Sequence, residues 1–158
     1  MDMSILIFPA LISGVNTGMD AALIKLKEEF SRLVASLDVE DHYKSFYAVP
    51  THDGSPHIEL VDGRFHYVVT ERGTEFERIE DLSADDVLYL LCEGVTQHMA
   101  SAYELKNRIE GIDGRSVRFP YHERLMHELN PDWGKRTKEK HEAILVQYPF
   151  SHGPSVPL

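Results

Sequence analysis

Histidine and glutamate, residue types that often transfer protons and bind metals, recur between residues 57 and 77. In the strand pairing derived below, Glu59 lies opposite His66, and with Glu77 they could form a small metal-assisted hydrolase site. The predicted outer sheet face contains His57, Glu59, His66, Thr70, Glu75 and Glu77. The simpler alternative is a solvated face, because an antiparallel sheet with one wet side alternates polar residues outward.

The spacings typical of known catalytic motifs are missing. The sequence contains no HExxH, no paired cysteines, no GxGxxG or P-loop and no GxSxG. Its single cysteine, Cys92, lies within a helical pattern, where a small core residue is a more common role than a nucleophile. We therefore predict that the protein is not an enzyme and that it needs no metal or cofactor.

The residues around Asp62-Gly63 predict a β-hairpin, because both positions of a type I′ turn need positive φ and Asp-Gly tolerates it. A second turn at Arg72-Gly73 extends the hairpin into an antiparallel meander from about His57 to Arg78. The expected pairs are Val61 with Arg64, Leu60 with Phe65, Ile58 with Tyr67, and Val69 with Phe76. Apolar side chains then share one buried face. Residues 45–49, which are followed by Pro50, are a candidate for a fourth strand at the edge of the sheet.

Helical periodicity predicts four helices. The longest runs from Ser83 to Gly111 and starts with an approximate capping box formed by Ser83 and Asp86. Its apolar stripe contains Leu88, Leu91, Val95, Met99, Ala102, Leu105 and Ile109. The other predicted helices run from Asp20 to about Leu37, from Pro120 to Asn130, and from Pro131 to about Gln147.

Together these patterns predict an α+β fold. An N-terminal helix is followed by a three- to four-stranded antiparallel meander and then by three C-terminal helices packed on one sheet face. A length of 158 residues suits a single domain over residues 1–158. Residues 1–18 and 151–158 are predicted to be loose tails, although the apolar run at residues 5–8 is also compatible with a short strand.

Charge limits the classes of partner. The chain has 26 acidic and 16 basic residues, a formal net charge of −10, which disfavours binding to nucleic acids and anionic membranes. A basic protein partner suits this charge better, while the alternative is that the charge only maintains solubility. We find no signal peptide or membrane span, and a lone thiol fits a reducing cytoplasm. The oligomeric state is not indicated.

The segment FHYVVTERG, followed by EFER, resembles the "YHYVV-ERG-ELER" segment of immunity protein 63, a family from bacterial polymorphic toxin systems. Further matches follow in the same order. They are Asp81-Leu82, Leu88-Tyr89, Val95-Thr96, Met99-Ala100, residues 103–110, residues 129–133 and residues 148–150. The resemblance implies a non-enzymatic cytoplasmic protein that binds and neutralises a cognate toxin domain.

If that toxin is basic, as many nuclease toxins are, carboxylates on a rigid element should lead the interface. The candidate partner-binding residues are Glu80, Asp81, Asp85, Asp86, Glu93 and Glu104. Two alternatives stay open for this set. These residues could form an ordinary solvated helix face with a Glu104–Arg108 pair, or the polar sheet face could bind the partner instead. An interaction module without a toxin partner is a further hypothesis.

Overall fold

The computed structural model describes residues 19–151, so the predicted tails lie outside the described residues except for Ser151. Within this range the chain forms an α+β fold, as predicted. The elements are α1 (Ala21–Val34), a short 3₁₀ helix (Asp41–Lys44), β1 (Asp53–Val61), β2 (Arg64–Glu71), β3 (Thr74–Leu82), α2 (Ala84–Lys106), α3 (Arg115–Leu129) and α4 (Pro131–Gln147). The three strands form one antiparallel sheet in the order β1-β2-β3.

The first hairpin has the predicted register. Val61 pairs with Arg64, Leu60 with Phe65, and Ile58 with Tyr67. Asp62 and Gly63 have φ values of 50° and 76°, the positive values that a type I′ turn requires. Ile58 and Phe65 are buried in the core on the face shared with the helices. The Asp-Gly signal was therefore sufficient to fix this part of the sheet.

The second hairpin also turns where predicted, but its register is different. Val69 pairs with Glu77 and not with Phe76, whereas Thr70 pairs with Glu75. Phe76 is thus an extra residue in β3, a β-bulge, and its side chain is 67 % exposed instead of buried. A second irregularity in β3 lies between Ile79 and Leu82, where Asp81 adopts a positive φ of 58°.

The candidate strand at residues 45–49 is not formed. The Tyr47 carbonyl accepts one hydrogen bond from the Ile58 amide at 2.9 Å, but no ladder follows. A 3₁₀ helix precedes this segment, and β1 begins at Asp53, earlier than the predicted start of the meander near His57. Pro50 interrupts the segment and has no amide with which to extend a ladder.

Helix α2 lies at the centre of the fold. Its predicted capping box is present, with the Asp86 amide donating to the Ser83 hydroxyl at 3.2 Å and the Ser83 amide donating to the Asp86 carboxylate at 3.2 Å. The stripe is buried in its first half, at Leu88, Leu91 and Val95. The helix ends at Lys106, and the last stripe residues, Ala102, Leu105 and Ile109, are exposed.

The second side of α2 is buried as well. Val87, Cys92 and Thr96 are completely enclosed although they lie off the predicted stripe. Burial raises the pKa of the Cys92 thiol to about 12, so the side chain is an uncharged core group. Helix α2 is thus packed between α1 and the sheet on one side and α3 and α4 on the other.

Helix α3 starts earlier than predicted. It begins at Arg115, and Pro120 is its sixth residue rather than part of its first turn. The proline removes a single intrahelical bond, to the Ser116 carbonyl, near the start of the helix. Helix α4 follows the prediction, because the Asn130 side chain caps it by accepting from the Asp132 amide at 2.9 Å.

Gly134 of α4 tests the packing of α3 against α4, and Gly94 of α2 provides a control. A Cβ at Gly134 would lie 2.5 Å from the His127 Cβ and 2.7 Å from its Cα, whereas a Cβ at Gly94 would meet nothing within 4 Å. Gly134→Ala should lower the free energy of unfolding by about 1–3 kcal/mol through overpacking. Gly94→Ala, the matched control, should raise it by about 0.5–1 kcal/mol. Urea unfolding of both variants checks this, and a stable Gly134→Ala would contradict the close helix approach.

Candidate partner-binding surfaces

Four of the six predicted partner-binding residues meet where β3 ends and α2 begins, a region that we call the junction surface: Glu80, Asp81, Asp85 and Asp86. Asp81 is exposed and accepts from Arg64 Nε at 2.8 Å. Asp85 is exposed and accepts from the indole of Trp133 at 3.2 Å. Glu80 is exposed. The junction surface therefore presents carboxylates to solvent, but several of them also have internal contacts.

Asp86 is the most constrained member of the junction surface. Its carboxylate accepts from the Ser83 hydroxyl at 2.8 Å and from Arg136 at 3.2 Å. Hydrogen bonding from Ser83, with a smaller contribution from Arg136, lowers the pKa of Asp86. This carboxylate thus caps α2 and ties it to α4, so its charge is largely used inside the protein.

The remaining two predicted residues, Glu93 and Glu104, are buried. Glu93 is 7 % exposed and pairs with Lys140 of α4. Glu104 is 5 % exposed and accepts two bonds from Arg108, at 2.9 and 3.0 Å, which lower the pKa of its carboxyl. The structure does not bring these two together with the junction surface. The Glu104–Arg108 ion pair that the sequence suggested is present.

The polar sheet face is organised by Arg78. Its guanidinium donates to Glu59 at 2.8 Å and to Glu75 at 2.8 and 2.9 Å, and lies 3.2 Å from Nδ1 of His66. The hydrogen bonds from Arg78 lower the pKa of both Glu59 and Glu75. A cation of the protein itself thus holds the centre of the predicted acid/base cluster. Among residues 19–151, no group of three or more His, Cys, Asp or Glu is placed to hold a metal ion.

Two residues assigned to the solvated face are in fact buried. His57 is 1 % and Thr70 is 7 % exposed, and Val68, which lies between them on this face, is fully buried. Glu77 moves to the opposite face because the bulge at Phe76 shifts its register. The simple alternation of polar residues outward therefore does not describe this face of the sheet.

A groove that the sequence did not indicate lies between the loop after α1, the second half of α2, and α3. It has a volume of about 470 Å³, and we call it the loop–helix groove. Its lining consists of Asp38, Val39, Glu40, His98, Met99, Ala102, Tyr103, Lys106 and Tyr121. No predicted helix or strand covers residues 38–44, so the wall formed by Asp38, Val39 and Glu40 was not expected. The sequence feature that could have indicated a charged surface here is the run Asp38-Val39-Glu40-Asp41, which has three carboxylates in four residues.

A buried polar network joins α2, α3 and α4. Nε2 of His122 lies 3.0 Å from the Thr96 hydroxyl, and its Nδ1 lies 3.3 Å from Nε2 of His141. Nδ1 of His141 lies 2.7 Å from the Glu123 carboxylate. Burial, with a smaller effect of the neighbouring His141, lowers the pKa of His122 to about 4. His122 is therefore neutral at pH 7 and serves as a hydrogen-bonding core residue.

The sequence model of Immunity protein 63 matches residues 62–143 of the chain, from the turn between β1 and β2 to the last third of α4. The chain belongs to the Immunity protein 63 family. No curated protein and no solved structure matches it. Within the described residues, no helix combines the length and apolar character needed to cross a membrane.

The Immunity protein 63 match covers some of the candidate surfaces completely and the loop–helix groove only in part. All four residues of the junction surface lie within it, as do the buried network and the helical walls of the loop–helix groove. The acidic wall of the groove, formed by Asp38 and Glu40, precedes the matched segment. In this Immunity protein 63 family member, the groove thus combines a family element with a segment outside the match.

The pKa of His122 gives a pH prediction. The unfolded imidazole, with a pKa near 6.5, takes up a proton on acidification that the folded protein resists until about pH 4. Stability should therefore fall as the pH drops, and this residue should contribute a loss of about 2 kcal/mol between pH 7 and pH 5. Urea unfolding of wild type and His122→Gln at both pH values measures it, because the variant should lack this part of the loss.

His127→Gln serves as the control for that experiment. His127 is exposed on the same helix, so the same exchange should leave the pH dependence of wild type unchanged. Equal pH dependence of wild type and His122→Gln would show that the buried imidazole is not the titrating group.

Proposed function

We propose that this protein is an immunity protein that binds the toxin domain of a polymorphic toxin system and neutralises it in the cytoplasm by occlusion. The observation that carries the proposal is the Immunity protein 63 match over residues 62–143. The potential acid/base residues support a non-catalytic role, because Arg78 and buried packing already engage most of them. Neutralisation would then need contact alone, with no reaction in which this chain takes part.

The charge of the chain supports a basic toxin, and nuclease domains are the toxin class that suits it. A net charge of −10 attracts a cationic partner over several ångströms before contact and raises the rate of productive encounters. The same charge rejects acidic proteins and thus contributes to the choice of partner. Steering of this kind weakens as salt shortens the Debye length.

We assign the junction surface to the steering and outer part of the interface. Glu80, Asp81 and Asp85 are exposed there, and Asp86 lies half-buried behind them. Glu93 and Glu104 are not assigned to the interface, since both are enclosed and paired with cations of this chain. Neutralising an exposed carboxylate changes the association rate of a complex more than its dissociation rate.

The function is tested with the product of the toxin gene adjacent to the gene for this protein. Co-expression should restore growth of cells that produce this toxin, and the two purified proteins should elute as one complex in size-exclusion chromatography. If the proteins neither associate nor protect cells, the immunity function proposed here is wrong. An interaction module without a toxin partner is then the better explanation.

The steering role predicts a kinetic signature. The triple variant Glu80→Gln/Asp81→Asn/Asp85→Asn should associate with the toxin about 3- to 10-fold more slowly at low salt, with little change in dissociation rate. An asparagine tolerates the positive φ of Asp81, and the amide oxygen of an asparagine in place of Asp85 can still accept from the Trp133 indole. Surface plasmon resonance at several salt concentrations measures both rates.

The control removes the same charge elsewhere. Glu128→Gln/Glu139→Gln/Glu142→Gln neutralises three exposed carboxylates of α3 and α4. Equal slowing by both triple variants would indicate that only net charge matters. An association rate of wild type that does not respond to salt would show that steering is absent.

A further inference from the structure

We propose that the loop–helix groove binds a basic segment of the toxin, with an arginine or lysine side chain between its aromatic walls and its acidic loop. This inference rests on the proposed function and adds the contact surface and the chemistry of the segment that occupies it. The groove measures about 470 Å³, within the range of pockets that enclose small ligands. It is large enough for a few side chains of a protruding loop and too small for a flat domain face.

Three aromatic rings line the groove, those of His98, Tyr103 and Tyr121, and each of them belongs to a stack. Tyr43 and His98 stack with ring centroids 3.6 Å apart and an interplanar angle of 22°. Tyr103 and Tyr121 stack at 3.9 Å and 3°. Stacked rings have already lost rotational freedom, so a partner that contacts them incurs little additional ordering cost. Tyrosine side chains are also enriched among the residues that contribute most to binding energy.

The rings favour a cationic occupant. The face of a tyrosine ring attracts a guanidinium or ammonium group, and the outer faces of such stacks are the places where this attraction acts. The protein's own Arg124 guanidinium already occupies this position at Tyr121, 4.9 Å from the ring centroid, which leaves Tyr103 as the tyrosine for a cation of the partner. Tyr103 is 39 % exposed and offers surface to a partner.

The acidic loop supplies the complementary charge. Asp38, Glu40 and Asp41 are exposed, and within residues 19–151 none of the three forms an ion pair. Lys106 is the cation in the groove lining, at the α2 wall, and Lys44 ends the loop, so the loop and lining carry three negative charges against two positive charges. Most carboxylates that line other grooves are paired within the chain, as Glu93 is with Lys140 and Asp113 with Arg115. Here the positive partner is supplied by another molecule.

The groove predicts a different kinetic signature from that of the junction surface. Interactions inside a contact pocket hold the complex together, whereas outer charges mainly accelerate its formation. Neutralising the carboxylates of the acidic loop should therefore speed the dissociation of the toxin. Loss of the junction carboxylates should not.

The test uses the purified toxin domain encoded beside this gene and two groove variants. Asp38→Asn/Glu40→Gln/Asp41→Asn and Tyr103→Ala should each release the toxin at least about tenfold faster than wild type. The junction triple variant is the matched control, because it removes the same number of charges. Circular dichroism and thermal unfolding of each variant establish that the fold is retained.

A second measurement locates the occupant directly. The photo-crosslinking residue p-benzoylphenylalanine placed at Ala102, which is exposed in the groove, should capture a toxin peptide that contains arginine or lysine. The same residue at Ala143, exposed on α4, should capture much less. Mass spectrometry identifies the peptide.

The outcomes separate the groove from the function. If wild type binds the toxin but both groove variants release it at the wild-type rate, the groove is not the contact surface and the immunity function stands. A captured peptide without a basic residue overturns the proposed occupant. If wild type forms no complex with the toxin, the proposed function fails, and the groove proposal fails with it.

Discussion

The burial of α2 on both sides is the constraint on which the rest of the structure depends. A helix enclosed between a sheet and two further helices cannot be amphipathic in the simple sense, because its polar groups also lie in the interior. Each such group then needs a partner within the protein. Glu93 meets Lys140, Tyr89 meets the Thr137 hydroxyl at 3.2 Å, and the Thr96 hydroxyl lies 3.0 Å from Nε2 of His122. The positions of α3 and α4 follow from these contacts as much as from apolar packing.

The arrangement of charges follows from the same constraint. Arginine and lysine are outnumbered, and many of them are used to neutralise carboxylates that hold elements together, such as Arg136 at Asp86 and Arg115 at Asp113, where the closest atoms are 2.7 Å apart. The Arg115 hydrogen bonds hold the pKa of the Asp113 carboxyl far below its usual range. The excess negative charge is consequently left on exposed segments without structural duties. An acidic protein can therefore reserve part of its charge for another molecule while its interior stays balanced.

Local chemistry made much of the fold predictable. Asp62-Gly63 determined the first hairpin, and Asn130 and the Ser83–Asp86 box marked the starts of two helices, because turns and caps depend on residues close in sequence. The family was recognisable from motifs, and the match over residues 62–143 confirms it. The register at Phe76 was not predictable, since alternation in sequence assumes that no residue is extra.

The candidate surfaces were harder to predict because they depend on which side of α2 is covered. A single apolar stripe implied that Glu93 and Glu104 face solvent, whereas α3 and α4 enclose them. The loop–helix groove joins residues near 40, 100 and 121, and periodicity carries no information on such distant contacts. Nothing in the pattern around Tyr103 distinguishes a ring that stacks on another helix from one that enters the core.

The two irregularities in β3 have a consequence for how the sheet meets other molecules. An added residue at Phe76 and another between Ile79 and Leu82 break the even spacing of amide and carbonyl groups along the outer strand. Bulges of this kind disfavour the pairing of a foreign strand along β3, one of the two edges of the sheet. At this edge, recognition is thereby left to side chains, and these can be exchanged one at a time during evolution while the backbone stays the same.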